Sequence, residues 1–311
     1  MASGRACILC GSTEQSILYR ERGQQTHRTI EYRISEPIGR ARHGTIVKCN
    51  VCGLVFLEEL PHDGQRAYRE LSDPEYHSEN ESRTQIFKQL LSSIESDHFP
   101  HNSGARKLLD IGCATGTLLR VASEHGWIAS GVEPSRWAVD MIEAPLRENV
   151  FLGTFEDTSF PDDTFDLVVL WETLEHIEDP SATLRKASRI LRPGGIIVIN
   201  IPNIESFWSH LLRDRWWLVE QMHYYYFEPR TIRQLLENSG FSVISIKPFK
   251  KTFSLGYLIQ KLRDVPVISD FSRSAHVMSK PGRFNVSFNS GQMVVFAYVS
   301  QDRMSCQTRV L

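Results

Sequence analysis

In the first half of the chain runs Lys107-Leu108-Leu109-Asp110-Ile111-Gly112-Cys113-Ala114-Thr115-Gly116-Thr117-Leu118-Leu119. A short apolar run meets two glycines four apart, and the sequence then turns amphipathic. That pattern predicts a buried parallel strand bending sharply into a helix. So tight a bend uses glycine where φ must be positive or where the backbone must come close to a ligand. The N–H groups opening the helix would then face the carboxyl end of the strand, where open α/β sheets bind their ligands.

The dinucleotide fingerprint would require glycines at 112, 114 and 117, and the chain has Gly112, Ala114 and Thr117, so that match fails. What stands is Asp-x-Gly-x-x-x-Gly, with Asp110 adding a carboxylate at the strand end. Working outward, Trp127 to Glu133 reads as a second strand closing on an acid. Glu133 lies about twenty residues past the first glycine, the offset of an acid that binds ribose hydroxyls. Asn149 to Gly153 reads as a third strand. Phe165 to Trp171, after the turn Pro161-Asp162-Asp163, reads as a buried fourth. Leu191-Arg192-Pro193-Gly194-Gly195 reads as a turn before a fifth, Ile196 to Ile201. Pro229 starts a helix that Gly240 ends, and Phe241 to Ile246 and Met293 to Val299 read as an antiparallel pair.

This ordered set, from Lys107 to Val299, resembles the class I S-adenosylmethionine-dependent methyltransferases. The resemblance implies an α/β fold, a doubly wound, seven-stranded and mostly parallel Rossmann-like sheet, with the last strand inserted beside the fifth. It implies a methyltransferase with S-adenosyl-L-methionine as cofactor. By the same resemblance the glycine loop runs under the amino-acid part of the cofactor and Glu133 holds the ribose. Asp157, in preference to Glu156, receives the adenine amino group. Asp110, Gly112, Cys113, Gly116 and Trp171 complete the implied cofactor set.

Directly after the fourth strand stands Glu172-Thr173-Leu174-Glu175-His176. On a helical turn, positions i, i+3 and i+4 share a face, so Glu172, Glu175 and His176 are expected to converge at the strand's carboxyl end. A second histidine, His223, follows in Gln221-Met222-His223-Tyr224-Tyr225-Tyr226-Phe227. Two carboxylates and imidazoles suit a divalent cation such as Mg²⁺ or Mn²⁺. Glu-x-x-Glu-His resembles the ubiquinone-biosynthesis O-methyltransferases and the small-RNA 2′-O-methyltransferases, and this implies a cation on a vicinal diol of the acceptor. The metal-free alternative has His176 as a base or a loop hydrogen-bonding group. Glu172, His176 and His223 are the candidate catalytic residues; Glu172, Glu175, His176 and His223 are the candidate cation ligands. The aromatic run from Phe207 and Trp208 through Trp216 and Trp217 to Phe227 reads either as an acceptor lid or as a packed core.

At the N-terminus, Cys7-Ile8-Leu9-Cys10-Gly11 and Cys49-Asn50-Val51-Cys52-Gly53 form two Cys-x-x-Cys knuckles. Four thiolates satisfy tetrahedral Zn²⁺, and glycine after each second cysteine lets the backbone curl. Cys7, Cys10, Cys49 and Cys52 are therefore assigned to a structural zinc ribbon, with reduced metal-free hairpins as the alternative. Ser16 to Arg20 and Thr45 to Lys48 are strand-like, and the basic excess before Lys48 reads as a solvated face. Ile86, Leu90, Leu91 and Ile94 fall on one helical face. Upstream of them, Tyr68 and Tyr76 resemble the Tyr-rich approach of zinc-knuckle methyltransferases, which would close over the cofactor, or else simply pack.

The 311 residues accommodate one α/β domain plus an appendage. The expected division is a zinc-ribbon-like module at 1–60, a linker and helix at 61–104, and a methyltransferase domain at 105–302. Insertions fall at about 203–228 and 253–283, and a tail at 303–311. A net charge of −2 exerts no global pull toward nucleic acid or membrane. No apolar run reaches spanning length and no signal segment precedes the first knuckle, so the expected location is cytoplasmic. The expected reaction is O-methylation of a hydroxyl-bearing small molecule or sugar. The alternatives are C-methylation, an RNA acceptor, or an adaptor protein built on an inactive core.

Overall fold

The computed structural model describes residues 5–23, 42–61, 64–70, 72, 80–99, 104–254 and 285–300. Tyr76, the stretch between the knuckles from 24 to 41, most of the 253–283 insertion and the 303–311 tail with Cys306 lie outside them.

Seven strands form the main sheet: β4 (Lys107–Ile111), β5 (Ile128–Glu133), β6 (Val150–Leu152), β7 (Phe165–Trp171), β8 (Leu191–Pro202), β10 (Phe241–Ser254) and β11 (Asn285–Val299). Their order is β10-β11-β8-β7-β4-β5-β6. The β4, β5, β6, β7 and β8 pairings are parallel, and β11 inserts antiparallel between β8 and β10. This is the doubly wound, mostly parallel sheet that the sequence predicts.

Strand alternation divides the core in two. Leu108, Leu167, Val169, Ile196 and Val198 point to one face, which is covered by α2 (Asn80–His98) and α3 (Thr117–Glu124). Leu109, Ile111, Val168, Leu170, Ile197 and Ile199 point to the other. With both faces covered, β7 has the near-continuous apolar sequence FDLVVLW that parallel strands require. The predicted Arg-Pro-Gly-Gly turn is a bulge within β8 rather than a turn before it. Leu191 faces Phe165 and Ile196 faces Leu167, so four residues loop out where β7 has one, with Gly194 at φ 78°.

Several helices besides the short α1 (Gly64–Arg69) and α5 (Ala144–Arg147) carry sequence-readable caps, and the Ser135 hydroxyl accepts from the Ala138 N–H at 3.1 Å ahead of α4 (Arg136–Asp140). Asp179 accepts from the Ala182 N–H at 2.9 Å ahead of α6 (Pro180–Ile190). Pro229 occupies the first turn of α8 (Pro229–Asn238), next to the Glu228–Thr231 capping box.

The second sheet joins β1 (Gln15–Tyr19), β2 (Ile46–Cys49), β3 (Val55–Leu57) and β9 (Tyr225–Tyr226). Its fourth strand comes from the segment expected to be an insertion of the methyltransferase domain. Val55 pairs with Tyr226 and Phe56 with Tyr225. The N-terminal module is thus stitched to residues 203–228, and its apolar residues belong to the same core as one face of the main sheet. Among the described residues no helix is long and apolar enough to cross a membrane.

Candidate functional site

The glycine loop after β4 adopts the predicted bend. Gly112 and Gly116 have φ of 81° and 75°, and Gly116 caps α3. A Cβ on Gly112 would lie 2.5 Å from the Thr173 hydroxyl, so the loop needs glycine both for its dihedral and for its neighbour. The contact also joins two motifs, because Thr173 sits inside Glu172–His176. Ala114 has φ 45°, an uncommon conformation for a residue with a Cβ.

Glu133 ends β5 and is buried. It accepts the Ala114 N–H and the Ser135 N–H, both at 2.9 Å, so each carboxylate oxygen keeps a lone pair. Burial raises its pKa to about 7, against the pull of those two N–H groups. Asp110 is buried as well, and its Oδ1 has no hydrogen-bond partner. Burial first, and the Glu133 charge second, push Asp110 up to about 8. Two buried carboxylates beside a backbone cradle fit a cationic nucleoside: its charge would favour both ionised forms, and its hydroxyls would meet Glu133.

Other expected cofactor residues fare differently. Cys113 turns its thiol inward: a Cβ on Gly131 would lie 2.6 Å from its Sγ, and the side chain joins the core, leaving only its backbone to line the loop. Trp171 packs edge-on between Phe87 and Phe249, each ring 5.3 Å away. Asp157 is tied back to Thr154, accepting from its N–H and its hydroxyl, while Glu156 accepts the Thr183 hydroxyl.

On the other side of Thr173, the 3-10 turn Leu174–His176 brings Glu175 and His176 to His223. Ligating atoms of these three lie within 4.8 Å of one another. Glu172 does not join them. It precedes the turn at φ 53°, and its carboxylate accepts from the Gln292 amide at 2.6 Å. The expected i, i+3, i+4 face therefore fails at its first member, because the helical turn begins two residues later.

Glu175 is 1% exposed, and neither carboxylate oxygen has a hydrogen-bond partner. Burial raises it to about 8. His176 donates from Nδ1 to the Met222 carbonyl at 2.8 Å, and burial lowers it to about 3, so its ring is neutral. His223 is opposite in character. Nδ1 donates to the Leu218 carbonyl at 2.8 Å, and Nε2 lies 2.9 Å from Glu220. Burial opposes charge on this ring, but Glu220 outweighs it and holds the pKa at about 9. Glu220 is a residue that sequence reading missed. The Glu-x-x-His spacing to His223 was its only signal. Tyr68 lies edge-on to His176 at 5.3 Å, on this cluster rather than over the glycine loop.

The N-terminal sheet reaches this cluster through the backbone. Leu57 N–H donates to the Tyr224 carbonyl at 2.9 Å, and Tyr224 N–H donates to the Glu175 carbonyl at 2.8 Å. At the far end of that sheet, Cys7, Cys10, Cys49 and Cys52 gather, with Cys7–Cys52 and Cys10–Cys49 sulfur separations of 3.4 and 3.5 Å. These are too long for disulfide bonds and match four thiols around one tetrahedral cation. Arg230 anchors the second knuckle to α8, donating to the Cys52 carbonyl at 2.7 Å.

A Rossmann-like sheet with this strand order, a glycine loop at its first strand and an acid closing its second define a methyltransferase domain. A family profile described as a methyltransferase domain matches residues 78–246, more than half of the chain, and the chain belongs to that family. It is 34% identical over 107 residues to an uncharacterized methyltransferase of Schizosaccharomyces pombe, covering 29% of this chain and 38% of that one. It is 29% identical over 123 residues to a ubiquinone biosynthesis O-methyltransferase of Azorhizobium caulinodans, covering 35% and 49%. The chain thus spans no more than about half the length of these curated relatives. A crystal structure of a SAM-dependent methyltransferase from Archaeoglobus fulgidus overlays 73% of this chain and all of its own, at 20% identity and a TM-score of 0.49.

Proposed function

We propose that this protein methylates a hydroxyl oxygen of a small molecule or sugar, using S-adenosylmethionine as methyl donor. When bound, that cofactor supplies an electrophilic methyl on a cationic sulfonium. Asp110, Glu133 and the Gly112–Gly116 backbone would hold it, and Asp157 or Glu156 would meet its base. The observation that carries the acceptor side is Glu175: a buried carboxylate with two unpartnered oxygens beside a neutral, anchored histidine. Such a group lacks a hydrogen bond that an incoming hydroxyl can supply. With a pKa of about 8 it is matched to taking the hydroxyl proton as the methyl is accepted. His176, anchored through Nδ1 to the Met222 carbonyl, walls the same position with a neutral ring. The imidazolium of His223, held by Glu220, supplies positive charge near the anion that develops. In-line displacement at carbon gains mainly from such positioning.

A second reading rests on the same cluster. Glu175, His176 and His223 have the donor chemistry of a divalent cation site. His223 would have to exchange its Nε2 proton for the metal, with Glu220 then left to orient the ring. In this reading Glu172, held by Gln292, is not a ligand. The four cysteines would hold structural Zn²⁺, and residues 1–60 with 203–228 would act as one acceptor-side unit.

Release of S-adenosylhomocysteine, screened against diol-bearing and singly hydroxylated acceptors, tests both readings. O-Methylation predicts turnover with a hydroxyl acceptor and a methoxy product by mass spectrometry. Turnover undiminished after chelation, with zinc still present by elemental analysis, selects the metal-free form. A carbon-methylated product contradicts both.

A further inference from the structure

Where β1 ends, the chain faces the turn that follows α7 (Phe207–Leu212), and a groove of about 500 Å³ opens between them. Arg20, Arg22, Arg213 and Arg215 line it, against Glu21 and Asp214. Arg22 is committed. It reaches the Asp214 carboxylate at 3.5 Å and the Asp214 carbonyl at 3.4 Å, tying the two walls together. The guanidinium groups of Arg20, Arg213 and Arg215 have no ion-pair or hydrogen-bond partner among the described residues. Tyr19, half-buried, adds its ring and hydroxyl to the lining.

The backbone gives an independent sign. Four non-glycine residues among those described have positive φ: Ala114, Asp163, Glu172 and Arg213. Ala114 and Glu172 lie in the cofactor and acceptor loops, and Asp163 in the turn before β7. Arg213, at φ 54° and ψ −126°, has no part in either loop, and it opens the 213–215 turn that lines the groove. Strain of this kind persists where the surroundings over-determine it, and it concentrates at ligand clamps.

We propose that this groove binds the phosphate or diphosphate group of a small molecule. Guanidinium forks match phosphate oxygens in bidentate geometry, and three unpaired ones around one concavity supply more donors than a single carboxylate would use. The volume is that of a small-molecule site. Nucleic acid would instead call for successive aromatic platforms along a basic stripe, and this groove offers the single ring of Tyr19.

The test uses the full chain and inorganic pyrophosphate in isothermal titration at constant ionic strength. The wild type binds one equivalent, and Arg20→Gln and Arg215→Gln each weaken binding about tenfold. Arg233→Gln, on α8, leaves it unchanged. Arg213→Gly separates ligand binding from a structural role, because it weakens pyrophosphate binding while relieving the backbone and raising Tm. No binding by the folded wild type, or undiminished binding by Arg20→Gln/Arg215→Gln, overturns the proposal. So does a single-stranded RNA oligomer that occupies the groove more tightly than pyrophosphate.

Discussion

The glycine-loop site proposed for the cofactor and the Glu175 cluster proposed for the acceptor are built in opposite ways. The first is local: Asp110, Gly112, Gly116 and Glu133 fall within two consecutive strand–turn units, and Glu133 returns its carboxylate to the Ala114 N–H. The second is assembled from three distant places. Glu175 and His176 follow β7, His223 and Glu220 come from a segment beyond β8, and Tyr224 ties both to a sheet that begins at the N-terminal cysteines. A local site is carried by the scaffold that every such fold shares. A composite site can change whenever one contributor changes, which is where acceptor specificity has room to vary.

Breaking the acceptor side alone should produce the largest effect. Glu175→Gln keeps the shape and removes the proposed base, and kcat should fall about 10²- to 10⁴-fold with S-adenosylmethionine affinity unchanged. Equal losses in both would mean that the two sides are not separable. Breaking the cofactor side, Glu133→Ala should weaken S-adenosylmethionine by about a hundredfold, since a charged acceptor of hydroxyls is worth about 1.5–3 kcal/mol per bond. Retained affinity in titration would remove Glu133 from the site.

The link between the halves can be probed remotely. Cys52→Ser should lower Tm on the order of 5 °C and slow turnover, through β3, Tyr224 and Glu175, while S-adenosylmethionine affinity is preserved. A fall in affinity as large as the fall in turnover would show that the cysteine cluster supports the whole fold rather than the acceptor side.

The smallest effect is one of pH. Asp110 and Glu175 have raised pKa values of about 8, as has His223 at about 9. Each therefore holds a proton in the folded protein that the unfolded chain releases at lower pH. Stability contributed by such groups is lost as pH rises through the folded values. The ligand-free protein should lose a few degrees of Tm between pH 6.5 and 8.5, a window above the range where neutral, buried His176 works in the other direction. A cationic cofactor favours ionised Asp110 and Glu133, so its affinity should rise over the same interval. A flat Tm profile would mean that these carboxylates are hydrated.

The same contrast explains what the sequence disclosed. The bend at Gly112 and Gly116 and the strands β4 to β8 were legible from neighbouring residues with a fixed period, while the doubly wound sheet and the inserted β11 followed from the family resemblance. The Cys-x-x-Cys pairs were legible through spacing, and the four thiols do converge. What escaped was tertiary. The idealised helical turn placed Glu172 with Glu175, but its positive φ sends it to Gln292, 120 residues away. Cys113 points into the core because β5 brings Gly131 against it. No periodicity announced that Tyr225 and Tyr226 would complete the N-terminal sheet.

In the function proposed above, the bend after β4 and the acid ending β5 together receive S-adenosylmethionine. Isothermal titration of the intact chain at pH 8 addresses it directly. Saturable binding of one equivalent, competed by S-adenosylhomocysteine and not by NAD, is the expected result. Absence of binding by demonstrably folded protein would contradict it.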